Sequence, residues 1–359
     1  MLPHLSVIRA LRRRQGSDTL RDMVTGSPTG SRAHSPIAAR PGEVLDQVDR
    51  QLVAALQVAP RASWQQISTA MGVSESTVSR RAKRLFASGS VRVTAMPDPL
   101  RCGLGFPVLM QVSCAVGAAD SVARALALRP DVRFVALLSG NFDLVLETVV
   151  PSRSHLSDVL LNDVDHIPGI VRTTTEAVIR NFKTSYDWGR SLLGDGVERL
   201  EQARPAISAV DGTHPVDADD MQLISLLGHD GRLSAAELAK HSDLSESSIR
   251  RRIEALTTGA AVHFATFIDP VLMGFEAPVF IWLDVDLGHL EEVALALSSR
   301  VEVRYLSATA GYSDLIAEVI LPDLHQLYGF LTQVIGPLPG VRRSEVGLEL
   351  STVKRGYLT

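Results

Sequence analysis

Two cysteines in 359 residues, Cys102 and Cys114, exclude a disulfide scaffold and a cysteine-rich metal site and read as core thiols. Charge of one sign is not in excess either. Against 40 Asp and Glu stand 36 Lys and Arg, a net −4, so a nucleic-acid partner would have to meet a local basic patch. The apolar stretch 103–119 is interrupted by Pro107, Gln111 and Ser113 and is too short to span a bilayer. At the start of the chain the stretch 2–11 precedes Arg12-Arg13-Arg14, the reverse of the order in a secretory signal. The expectation is a soluble cytoplasmic protein with no membrane contact. Zinc spacing, a phosphate loop and a Ser-His-Asp pattern are all missing, so neither metal nor cofactor is expected.

What is present is a repeat. A shift of 171 positions lays residues 45–188 on 216–359 without a gap. Asp46 and Asp49 fall on Asp217 and Asp220, Arg80-Arg81 on Arg251-Arg252, Pro107 on Pro278, Gly140 on Gly311, and Pro168-Gly169 on Pro339-Gly340. A period this long marks a duplicated domain pair, since solenoid units run to roughly 20–50 residues. Residues 189–215, with four glycines and two prolines, read as a polar linker that includes a short helix near 197–203. Residues 1–43 have no counterpart and carry seven arginines against Asp18, Asp22 and Glu43. Their Ser, Gly and Pro content predicts a disordered basic tail. That tail either adds non-specific DNA affinity or is a plain solvated extension, with Met23 an alternative start.

The first third of each copy (44–98 and 216–269) predicts three helices. Leu45, Val48, Leu52, Ala55 and Leu56 recur at helical spacing behind Asp46 as N-cap, and Asp217 leads the same pattern in the second copy. Ser63 with Gln66 and Ser234 with Glu237 have the form of capping boxes. A tight turn follows, where Gly72 suits the left-handed conformation and Asp243 replaces it in the second copy. In the third helix Val78, Ala82 and Leu85 share one face. Ser76, Arg80 and Lys83 lie opposite, flanked by Thr77, Ser79 and Arg84 and opened by Ser74. Arg81 sits at the margin, placed either to pack or to reach a phosphate. Residues 74–85 carry +3 (Arg80, Arg81, Lys83 and Arg84 against Glu75), and such a face can set hydroxyls and guanidinium forks against base edges and phosphates. The second copy offers Ser245, Ser247, Ser248, Arg250, Arg251 and Arg252, but Glu254 and Ala255 replace Lys83 and Arg84, which lowers its charge to +1. Two unequal helices predict an asymmetric operator.

The runs 72–81 and 244–252, preceded by Asp-x-x-Asp at 46–49 and 217–220, resemble the recognition and first helices of Lrp/AsnC transcriptional regulators. The resemblance covers both repeats, roughly 80% of the chain. It implies double-stranded DNA as partner and a second domain, named RAM, at 99–188 and 270–359. The residues support that independently. Periodicity predicts a strand at 105–114, a helix at 118–128, strands at 132–139 and 142–150, a helix from Pro151 to 167 and a last strand at 170–181. The order βαββαβ is ferredoxin-like. The fold class is therefore α+β, two winged or three-helix helix-turn-helix (HTH) domains alternating with two ferredoxin-like RAM domains.

In that family RAM domains dimerise through their sheets and bind small effectors, usually amino acids, at subunit interfaces. The resemblance thus implies an intramolecular pseudo-dimer, open to higher homo-oligomers, and an effector site at the Gly-x-x-Asp loops. Those loops are Ser139-Gly140-Asn141-Phe142-Asp143 and Ala310-Gly311-Tyr312-Ser313-Asp314. Two readings of them stand: a cradle in which Gly admits a carboxylate and Asp accepts from an ammonium, or a hairpin turn capped by its Asp. Thr173, Thr174 and Thr175 of the last strand are further candidates for the same site.

A rival reading is enzymatic. Siroheme decarboxylases resemble the same tandem fold and need His, Arg and Tyr clustered in the sensing domain. Here His155, His166, His263, His289 and His325 do not recur at the 171 offset, and only Arg133 and Arg304-Tyr305 precede the loops. The expectation is a regulator, not an enzyme.

Overall fold

The computed structural model describes residues 45–164, 166–184, 186–202 and 214–355. The tail at 1–43 and the linker's centre lie outside them. Asp46 caps α1 (Gln47–Val58), Ser63 and Gln66 close a reciprocal capping box on α2 (Trp64–Met71), and Ser74 caps α3 (Glu75–Ala87). Between α2 and α3 Gly72 is left-handed at φ 69°. Strand β1 (Val91–Pro97) leads to β2 (Phe106–Cys114), α4 (Ala119–Ala127), β3 (Val132–Ser139), β4 (Leu144–Val150), α5 (Arg153–Asp158) and β5 (Ile170–Thr184). A short α6 (Gly196–Glu201) follows. The second copy repeats the plan as α7 (Ala218–His229), α8 (Ala235–Ala239), α9 (Glu246–Thr258) and β6 (Val262–Ile268). It continues with β7 (Ala277–Val285), α10 (Leu290–Ser298), β8 (Val303–Ala310), β9 (Leu315–Leu321), α11 (Leu324–Gly329) and β10 (Val341–Arg355). Among the described residues no helix is long and apolar enough to cross a membrane.

Two local expectations need correction. The helix after Pro151 does not run as one α-helix to 167. It widens into a π-turn at Val159–Val164, as its counterpart does at Phe330–Ile335. A five-residue repeat puts both ends of the turn on one face, and Val159, Val164, Phe330 and Ile335 are all buried. Asp243, in turn, does not take the left-handed place of Gly72, because α8 stops early at the cap residue Lys240 and the chain leaves by another path.

The sheets decide the architecture. Each copy forms a four-stranded sheet, in the orders β3-β4-β2-β5 and β8-β9-β7-β10, and the two join at both edges. Antiparallel pairing of β5 with β8 and of β10 with β3 closes an eight-stranded barrel that leaves no free edge. Its interior holds residues of both copies, among them Leu109, Phe134, Val178, Phe280, Trp282 and Ile316. The helices cover the outside over two separate cores.

A connection unforeseen from periodicity links the helical domains. β1 pairs antiparallel with β6 of the other copy, Thr94 opposite Ala265, in a two-stranded ribbon. Each HTH core is then completed by the other copy. Ile268, Leu272 and Met273 enter the first, while Ala95 and Cys102 enter the second. Burial pushes the Cys102 thiol up to about 12, as expected of a core thiol, whereas Cys114 is half-buried. The start of the expected linker also packs down: Trp188, Leu193, Val197 and Leu200 join the first HTH core.

A reciprocal clasp tightens the pair. Arg61 donates to the carbonyls of Gly231 and Leu233 and lies 4.8 Å over Phe264. Arg232, its equivalent, donates to Pro60 and Ala62 and lies 4.1 Å over Trp64. Burial and the nearness of Arg61 push Arg232 down to about 10. Arg232→Ala should cost about 2 kcal/mol, the scale of hydrogen bonds from a charged donor. Calorimetric unfolding would show it, with faster amide exchange around residues 60–62. Unchanged exchange there would mean that the ribbon alone holds the two domains together.

Candidate nucleic-acid interface and sensing loops

On α3, Val78, Ala82 and Leu85 are buried as the periodicity requires, and Ser76, Arg80, Lys83 and Arg84 are exposed on the opposite side. Ser74 is the N-cap, its hydroxyl accepting from the Thr77 N–H, while Thr77 and Ser79 are half-buried at the edge of the face. On α9, Ser245 caps through Ser248, and Ser247, Arg250 and Arg251 are exposed. Arg250 is partly engaged by Glu246, one turn away at 2.7 Å.

Arg81 and Arg252 are not part of the free face. Arg81 turns back to α1, donating to Asp46 at 2.6 Å and Asp49 at 2.9 Å. Arg252 does the same with Asp217 and Asp220 at 2.9 and 2.8 Å and with Asp219 at 3.1 Å. This explains Asp-x-x-Asp in physical terms. Its first carboxylate caps the first helix, its second is nearly buried beneath the third, and one guanidinium ties both to the recognition helix. Arg84 reaches Asp49 as well, although its side chain stays 58% exposed. The two HTH domains thus hold their third helices by the same ion-paired joint, although residues 74–85 carry a net +3 and residues 245–256 a net +1, Arg81 and Arg252 included.

The Gly-x-x-Asp loops lie at the seam between copies. A side chain on Gly140 would come within 3.3 Å of the Val346 carbonyl of β10, and one on Gly311 within 2.9 Å of the Thr175 carbonyl of β5. Close approach, not turn geometry alone, calls for glycine. Asp143 Oδ2 accepts from the Cys114 N–H at 2.7 Å, and Asp314 Oδ2 from Val285 at 2.8 Å, so one oxygen of each aspartate ties the loop to its own sheet.

Beyond that frame the two seams differ. In the second, the carboxylate of the buried Glu176 accepts from both the N–H and the hydroxyl of Ser313, at 2.6 and 2.7 Å, with Gln111 behind it. Burial raises the Glu176 carboxyl, against the lowering effect of the Ser313 donors. In the first seam the place of Glu176 is taken by Gly347 and that of Gln111 by Trp282. There Phe142 packs 6.0 Å from Trp282 and 6.4 Å from Tyr312, and Asn141 donates to Glu345 at 2.9 Å. Thr175 pairs with Met110 inside the sheet, and Thr173 and Thr174 are half-buried. Of those five histidines His263 lines the cavity beneath the ribbon, with Arg133, Arg304 and Tyr305.

The Lrp/AsnC ligand binding domain model matches residues 108–188 and 278–359, and the AsnC-type helix-turn-helix domain model matches 45–85 and 216–257. An HTH-type transcriptional regulator of Pyrococcus furiosus is 32% identical over 143 residues, which is 40% of this chain and 97% of that protein. The leucine-responsive regulatory protein of Salmonella typhimurium is 29% identical over 150 residues, 41% of this chain and 92% of that protein. The siroheme decarboxylase NirDL shares the tandem fold at TM-score 0.57 and 12% identity, over 86% of this chain and 93% of its own.

The Asp46 carboxyl is held below its ordinary range, chiefly by Arg81 and then by the Asp49 N–H. At Asp217 burial works the other way but is outweighed by the Asp220 N–H and Arg252. A lowered carboxyl stabilises the fold above its unfolded-state pKa, and that contribution is lost as pH falls through the folded value. Acid below about pH 4 should therefore loosen both recognition helices, and Asp46→Asn should flatten this part of the pH–stability curve. Asp49→Asn should cost about 2 kcal/mol at neutral pH, because it removes the buried carboxylate that binds Arg81 and Arg84 and leaves Arg81 with Asp46 alone. Urea titrations at several pH values check both. A cost below about 0.5 kcal/mol would reduce the joint to a surface ion pair.

Proposed function

The chain belongs to the Lrp/AsnC family of HTH-type transcriptional regulators, and we propose that it reads double-stranded DNA with two unequal heads held on one interlocked body. The observation that carries this reading is α3: an exposed polar face of Ser76, Arg80 and Lys83, flanked by Arg84, which also reaches Asp49, and fixed from behind by Arg81. Side chains of this type donate to base edges and phosphates, and their local positive charge explains how a chain of net negative charge can bind DNA. The second head, with Glu254 on its outer face, contributes less. The chain supplies its own pseudo-dimer, and the exposed equivalents Ile179 and Leu350 are the surfaces on which further copies would stack.

The Gly-x-x-Asp loops are the sensing sites of this proposal, with an amino acid as ligand. The name of the Salmonella relative supports that class. We place the working site at the first loop, 139–143. At the second, Glu176 already takes the Ser313 donors, and an incoming carboxylate would meet a buried negative charge. A decarboxylase reading is the weaker alternative: it rests on a fold likeness at 12% identity and on the gathering of Arg133, Arg304, Tyr305 and His263 around one cavity.

Titration of the DNA upstream of the chain's own gene, beside a scrambled fragment and across a salt series, tests the regulator. A preference of at least about a hundredfold is expected, a floor below the usual specific-to-non-specific ratio of roughly 10³–10⁷. Arg80→Ala should abolish it and Arg251→Ala should leave most of it. Absence of binding to either fragment at low salt would overturn the reading, and a tetrapyrrole-like absorbance in the purified protein would favour the enzyme.

For the effector, amino acids should shift DNA affinity in the wild type and in Ser313→Ala but not in Asn141→Ala. The reverse pattern would move the working site to the second loop.

A further inference from the structure

The cavity under the β1–β6 ribbon belongs to neither copy alone. Arg133 and Phe134 enter it from the start of β3, Arg304 and Tyr305 from the matching positions of β8, Arg355 from the end of β10 and Met96 from the ribbon. The sensing loops follow the opposite ends of β3 and β8, so this space is separate from them. At about 70 Å³ it holds several waters or one small molecule, a single water needing roughly 10–15 Å³ by the same measure.

One wall is apolar, formed by Leu109, Phe134 and Phe280. Facing it are donors without acceptors. The Tyr305 hydroxyl and the Arg304 Nε–H have no hydrogen-bond partner, and the nearby Ser307 hydroxyl is turned to Asn181. Arg304 is only 4% exposed, and a buried unmet donor is costly unless something meets it. Of the nearby carboxylates Glu147 binds Arg133, Glu318 binds both Arg304 and Arg355, and Glu349 lies 4.0 Å from Arg304 and 3.6 Å from Arg355. Burial, and then the repulsion of Arg355, push Arg304 down to about 9, against the opposing pull of Glu349. Burial also raises the Tyr305 hydroxyl far above neutrality, which keeps it a donor.

We infer that this cavity is a second small-molecule site, which takes a monocarboxylate with a short apolar tail. The carboxylate accepts from Tyr305 and Arg304, and the tail lies against Leu109, Phe134 and Phe280. Because its walls come from both sheets and from the ribbon, an occupant ties the barrel to the paired HTH domains. The inference does not depend on the sensing loops being functional.

The test is calorimetric titration of the full chain with 3-methylbutanoate and benzoate, each beside its neutral amide. Both acids should bind, and the amides at least tenfold more weakly. Tyr305→Phe, which removes only the hydroxyl, should weaken acid binding at least tenfold. Leu109→Phe, which installs the ring that the other copy carries as Phe280, should fill the space and abolish binding even if Tyr305→Phe folds poorly. Asn141→Ala, at the first sensing loop, should leave acid binding unchanged. Equal binding of acid and amide, insensitivity to both cavity variants, loss in Asn141→Ala alone, or no binding at millimolar concentration would each overturn the inference.

Discussion

Closure of the barrel is the constraint on which the rest of the molecule depends. A four-stranded sheet with helices on one side leaves an apolar face and two edges open, and each exposed edge invites uncontrolled pairing. In this chain every such deficit of one copy is met by the other. The long strands β5 and β10 reach across to β8 and β3, and the two bare faces meet over Phe134, Val178, Phe280 and Trp282. With the barrel closed, β1 and β6 emerge near each other and pair. Each HTH domain can then borrow core residues from the opposite copy. The reading heads are therefore parts of one interlocked body, not modules on a tether.

Within that near-symmetric frame the two copies have diverged where chemistry is exposed or enclosed, not where the frame is held. The joints are kept: Arg81 and Arg252 each tie a recognition helix to two aspartates of the first helix, and Arg61 and Arg232 exchange the same pairs of carbonyls. The faces differ. Lys83 and Arg84 give way to Glu254 and Ala255, and the polar seam of Glu176, Gln111 and Ser313 faces an aromatic one of Trp282 and Phe142 across the barrel. Duplication in a single chain permits this, because each surface can change without altering its twin, as it could not in a homodimer.

An aromatic column runs through the barrel interior from the first Gly-x-x-Asp loop toward the cavity. Phe142 is 6.0 Å from Trp282, Trp282 is 6.0 Å from Phe280, and Phe280 is 5.7 Å from Phe134, over which Arg355 lies at 4.4 Å. Rings packed this way transmit displacement poorly by bending and well by repacking, since a close-packed interior resists continuous deformation. The seam and the cavity are thus two ends of one packed element.

Much of the fold was legible because it rests on local rules. Caps at Asp46, Ser63 and Ser74, the left-handed Gly72, the buried stripe of Val78, Ala82 and Leu85, and the βαββαβ order follow from side-chain spacing within a few residues, and the 171-residue offset follows from identity alone. What stayed open or unseen lies where a distant partner decides. Arg81 stands at the margin of its helical wheel, and only the carboxylates more than 30 residues earlier turn it inward. The ribbon escaped notice because β1 finds its partner about 170 residues later. By itself the sequence determined two copies of a DNA-reading and a sheet-forming unit, and the difference in charge between their third helices. Tertiary structure alone decided that the copies interlock, which of the two seams Glu176 seals, and that Arg304, Tyr305 and Arg355 surround one cavity. Closing a barrel from two open sheets brings together residues that no local spacing relates.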